Sequence, residues 1–127
     1  MKRLLPFMTV VVLATCDSGP QAGELVIALA SPNQQDGAVA FTLTAAEPNT
    51  IASLTAGCTG CQVWMTRVND AQVRAIVTGS IVPGTLVRAT VSDVKQPDQY
   101  SASLQQVAAR SYELRGLSGY SLTVAKP

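Results

Sequence analysis

Two of the three cysteines stand close together, in Cys58-Thr59-Gly60-Cys61, and this pair is the part of the chain best placed to do covalent chemistry. A thiol-disulfide enzyme needs the first cysteine of such a pair at a helix N-terminus, where the dipole lowers the thiol pKa and poises the thiolate for attack. The surroundings here differ. Gly57 and Gly60 mark a turn, and the residues from Gln62 onward read as a strand, with no βαβ pattern nearby. The favoured expectation is a structural disulfide, Cys58 to Cys61, closing a four-residue ring in an oxidising compartment. The loop-entropy estimate makes such a ring worth about 2 kcal/mol before ring strain is subtracted. A ring of this kind can also shape a loop for binding, and a redox pair is the alternative.

Other candidates are weaker. Histidine is absent from the whole chain, which removes the commonest general base and the commonest metal ligand together. Serine and threonine are plentiful but lack a base to activate them, so solvated turns account for them better. Asp36, Asp93 and Asp98 fall in separate loop segments without EF-hand spacing, which gives calcium no support. Trp64, the only tryptophan, lies three residues after Cys61 and is expected to pack in the core beside the ring. The other placement is on a sheet face, as an anchor for a partner. Tyr100, Tyr112 and Tyr120 read as packing residues with a polar tip, although aromatic faces on sandwiches can bind glycans.

The third cysteine, Cys16, follows Lys2 and Arg3, an apolar run from Leu4 to Ala14, and Leu13-Ala14-Thr15. That order resembles a bacterial lipoprotein signal. The resemblance covers residues 1 to 16 and departs from the family pattern at Thr15, where Gly, Ala or Ser is usual. It implies cleavage before Cys16, diacylation of its thiol, and a domain held outside the cytoplasm on a membrane of the cell envelope. The apolar run is about 11 residues, far short of the roughly 20 that a spanning helix needs, and it follows a positive segment, as in a processed leader. Each buried CH₂ contributes about 0.8 kcal/mol, so two or three acyl chains hold a protein to a membrane almost permanently. By resemblance to enteric lipoproteins, Asp17 after the cysteine favours the inner membrane, a rule that does not hold in all bacteria. With Cys16 lipidated, two cysteines remain for zinc, which wants four ligands in a structural site.

These residues need a scaffold, and composition bounds it. Removing residues 1 to 15 leaves 112, enough for one domain that buries roughly two thirds of its unfolded-chain surface. Seven basic and eight acidic residues remain, a formal charge near −1 that gives nucleic acid no purchase. Low charge with abundant Val, Thr, Ala, Ser and Gly fits a β-rich domain.

Residues 16 to 23 read as a flexible tether, roughly 20 Å if extended. Beyond it, Leu25, Ile27 and Leu29 alternate with period two, as do Val39, Phe41 and Leu43, each set describing a strand with one buried face. Ser31 to Gly37 joins them, with Pro32 and Asp36-Gly37 supplying turn chemistry. Further strands are expected at Ile51 to Leu54, Gln62 to Val68, Gln72 to Thr78, Thr85 to Ser92, Tyr100 to Val107 and Tyr120 to Val124. Asn69-Asp70 closes a hairpin that leaves Arg67 and Arg74 on exposed positions. The segment Ser103 to Arg110 also fits a helix, but strand is preferred.

The run Asp36 to Leu43, then Val73 to Gly79 with Gly84 to Arg88, and a closing Gly119 to Val124, is similar to cohesin-like bacterial envelope domains. The likeness is one of strand order over residues 24 to 125, and it implies a jelly-roll sandwich; no contact residue carries over. The expected fold is therefore all-β, a single antiparallel β-sandwich over residues 24 to 127, jelly-roll (cohesin-like) or immunoglobulin-like. The expected role is a non-enzymatic, membrane-anchored envelope lipoprotein serving as a binding or structural module for a protein partner, without cofactor or metal. The alternatives are a thiol-disulfide redox protein using Cys58 and Cys61, and a glycan-binding sandwich.

Overall fold

The computed structural model describes residues 19–127. The leader, Cys16 and Asp17 lie outside the described residues. Nine strands follow in order: β1 (Gly23–Ala30), β2 (Asp36–Ala45), β3 (Ile51–Ala56), β4 (Gln62–Asn69), β5 (Gln72–Ile81), β6 (Gly84–Val91), β7 (Tyr100–Ala108), β8 (Leu114–Arg115) and β9 (Ser121–Ala125). They form two antiparallel sheets, one ordered β3-β6-β1-β9 and the other β4-β5-β2-β7-β8. The chain is an all-β sandwich.

The alternating apolar residues decide which faces meet. Leu25, Ile27 and Leu29 of β1 and Leu86, Val87, Ala89 and Val91 of β6 bury against Val39, Phe41 and Leu43 of β2 and Val73, Ala75 and Val77 of β5. Burying each large aliphatic or Phe side chain contributes about 1.5–3 kcal/mol relative to leaving it in water. Phe41, the bulkiest fully buried side chain, sits on the central strand of the larger sheet, between β5 and β7.

Strand is indeed what residues 100–108 form, and Pro97–Gln99 make a short 3₁₀ turn ahead of it. The eight expected strands are joined by a ninth, β8, whose two residues pair with Val107 and Ala108. The Asn69-Asp70 hairpin closes through a turn at residues 70–71, joining β4 to β5. Arg67 and Arg74 are both exposed but belong to opposite faces, because Arg67 pairs directly with buried Val73.

Asp36 departs from the turn reading. It opens β2, is 1% exposed, and binds Arg115 Nε through Oδ1 at 2.7 Å. The Tyr120 hydroxyl donates to its carboxylate at 3.0 Å, and Asn33 Nδ2 donates to that hydroxyl at 2.7 Å. A buried carboxylate needs such partners, since an unpaired one is strongly destabilising. At the opposite end, Gln21 N donates to Asp93 Oδ1, Val94 N donates to Gln21 O, and Lys95 Nζ donates to Gly19 O. The residues just ahead of β1 therefore lie along the β6–β7 loop. Tyr100 meets its expectation as a packing residue with a polar tip: it is buried and donates to Asp93 O at 2.7 Å.

Candidate binding surface

The disulfide turn and the outer face of the larger sheet adjoin, and local sequence explains both. Cys58 and Cys61 are joined, with Cα atoms 5.4 Å apart, and Cys61 N donates to Cys58 O to close the turn. Gly60 occupies the left-handed region at φ 75°, where a side chain would be strained. The turn then lies over Gly79 of β5, at φ 135°: a Cβ there would stand 3.0 Å from Gly60 O and 3.1 Å from Cys61 Cα. Both sulfurs are half-buried and stand at a strand entrance, and the one helical element among the described residues is the distant turn at Pro97–Gln99. The cysteine pair thus has no helix dipole to activate a thiolate.

The register of the larger sheet fixes its outer face. Trp64 pairs with Ile76, which pairs with Ala40, which pairs with Gln106. On one side of this row lie Gln62, Thr78, Ala38 and Ala108, and on the other Thr66, Arg74, Thr42 and Ser103. Trp64 is 61% exposed and Ile76 47%, so a large apolar shelf at the β4 edge gives way to a floor of small side chains. Arg74 is the one charge in these rows. Thr42, 7% exposed, leaves its Oγ1 unpaired beneath them.

Trp64 therefore does not occupy the core, as the sequence suggested. Val63, Met65 and Arg67 share the face of Val77, Ala75 and Val73, so the opposite parity, with Trp64, points outward. Arg67 reaches under β3 instead, donating to Ile51 O at 2.8 Å and Ala52 O at 2.9 Å.

A cleft of about 620 Å³ lies at the disulfide end of this face, with Ala38 and Thr78 among its lining residues and Gly60, Gly79, Arg110 and Tyr112 around them. Gly37 lets the β7–β8 turn close in, since a Cβ there would stand 2.7 Å from Ala109 O. Tyr112, at φ 70°, is 86% exposed, which departs from the packing role expected of it. Tyr120 is half-buried with its hydroxyl bonded as described. Asp93 and Asp98 do not meet Asp36, and no cluster of three metal-binding side chains occurs among the described residues. Sequence reasoning missed Ile76; its pairing with Trp64 would have been readable had the phase of β4 been known.

Compared with known protein families, with curated proteins and with solved structures, the chain matches none.

Proposed function

We propose that this chain is a non-enzymatic lipoprotein of the bacterial envelope, acylated at Cys16, whose domain binds a protein partner through the outer face of the larger sheet. The observation that carries the reading is the Trp64–Ile76 shelf: two large apolar side chains side by side on an exposed face whose one charge is Arg74. Exposed aromatic anchors flanked by apolar and Arg side chains are the composition of protein-binding hot spots, where truncating one such residue commonly weakens binding about 30-fold. The location rests on the order Lys2-Arg3, apolar run, Cys16. No helix among the described residues is long and apolar enough to cross a membrane.

Two measurements test this. Intact mass spectrometry of the membrane-extracted chain, before and after reduction and alkylation, reads the acyl mass at Cys16 and the state of Cys58 and Cys61 together. An N-terminus without acyl mass overturns the anchor. A photo-reactive side chain placed at Thr66 in native membranes should trap a reproducible envelope protein that Ile76→Lys releases. The same products from Glu24, on the other sheet, would overturn the binding face. A disulfide that exchanges readily in a glutathione buffer would instead favour redox chemistry at Cys58 and Cys61.

Tyr112, exposed at the cleft, favours glycan binding as a second reading. Trp64 fluorescence titrated with a glycan panel tests it, and a flat response removes it.

A further inference from the structure

The four sheet edges are not treated alike. β8, at one edge, is two residues long. β9 has five residues and runs into Lys126-Pro127. On β3, the carbonyls of Ile51 and Ala52 accept the Arg67 guanidinium. β4 is different: eight residues long and largely exposed, it carries no proline and no lysine, and the one charge it has is occupied beneath β3. Long apolar strands with an open edge are templates for another strand, and charges, prolines or brevity are the usual defences.

We propose that β4 is a homodimer interface, in which two copies of this chain pair β4 antiparallel to β4 and join their larger sheets into one. A sheet edge is a row of backbone N–H and C=O groups, and an extended strand satisfies that row. The sequence of β4 names the strand. In a two-fold antiparallel pair the facing residues must share a face, which restricts the register to residues of equal parity. Centred on Trp64, the pair sets Trp64 beside its counterpart, Gln62 opposite Thr66, and Val63 opposite Met65: aromatic with aromatic, polar with polar, apolar with apolar. Centred one residue later, it would set Trp64 opposite Thr66 and Val63 opposite Arg67. The first register is self-complementary and brings no like charges together, because Arg67 is held by its own β3. The exposed Met65 at this edge is then covered by Val63 of the second copy.

This goes beyond partner binding and is read with no other protein present. Sedimentation of the full chain in density-matched detergent should give a dimer. Trp64→Lys, at an exposed position that leaves the fold intact by circular dichroism, should raise the dissociation constant by about 30-fold or more, through lost aromatic contact and facing ammonium groups. In cell envelopes, Trp64→Cys under mild oxidation should yield a disulfide-linked dimer, which Glu24→Cys should not. A chain that stays monomeric at all concentrations, a Trp64→Lys variant that dimerises as tightly as wild type, or Trp64→Cys and Glu24→Cys cross-linking at equal rates would each overturn the proposal. A monomer that instead takes up a foreign extended peptide along β4 would overturn the second copy as the occupant.

Discussion

Asp36 shows how one side chain can tie together segments far apart in sequence. Its carboxylate gathers Arg115 of β8 and Tyr120 ahead of β9, with Asn33 of the β1–β2 loop behind them. Arg115→Ala should therefore destabilise the fold by about 3 kcal/mol, most of it the cost of a buried carboxylate left unpaired. Asp36→Asn with Arg115→Met should recover much of that, and urea unfolding of the single and double variants measures the coupling. Asp93 works at the surface. The backbone N–H groups of Lys95 and Gln21 hold its carboxyl below the usual carboxylate value of 3.8. A depressed carboxylate contributes stability above its unfolded value and loses it as pH falls through the folded one. Asp93→Asn should thus flatten part of the acid limb below about pH 4 when urea midpoints are followed. The Asp36-Gly37 turn signal was legible as punctuation. Its burial was not, because Arg115 and Tyr120 become its neighbours through tertiary pairing alone.

The strands themselves could be read from alternation, because Leu25-Ile27-Leu29 and Val39-Phe41-Leu43 each leave a single phase open. β4 could not be phased, because Val63, Trp64 and Met65 place apolar groups on both parities, and the register against Val73, Ala75 and Val77 is what decides it. β8 escaped because two residues carry no period. The disulfide turn, expected as a bend, is also a lid over Gly79, and this yields an ordered series of substitutions. Gly60→Ala meets open space and should cost about 1–2 kcal/mol from its left-handed backbone alone. Gly79→Ala should cost more, since the added methyl also presses on Gly60 O and Cys61 Cα. Thermal melts of the two variants compare them directly. Replacing both Cys58 and Cys61 by Ser should remove about 2 kcal/mol, the loop-entropy contribution of a short ring.

Over the whole molecule, six of the eight connections between strands pass from one sheet to the other, and only β4–β5 and β7–β8 stay within one. Almost every element therefore needs a distant partner, and the core forms as a unit. Phe41→Ala should cost about 3–5 kcal/mol in urea unfolding while keeping a single transition. Trp64→Ala should leave the unfolding midpoint nearly unchanged at dilutions where the chain is monomeric, as exposed positions do. β1 has a last consequence through its place in this layout. It is the first strand after the residues that lead toward Cys16, yet it lies inside its sheet, paired with β6 over Gly23 to Leu29 and with β9 over Val26 to Ala30. A pull delivered through those leading residues cannot peel β1 from an edge one bond at a time. Past Leu25, which like Gly23 and Glu24 pairs with β6 alone, it must shear two ladders at once, so tension entering ahead of β1 meets its strongest resistance from Val26 to Leu29.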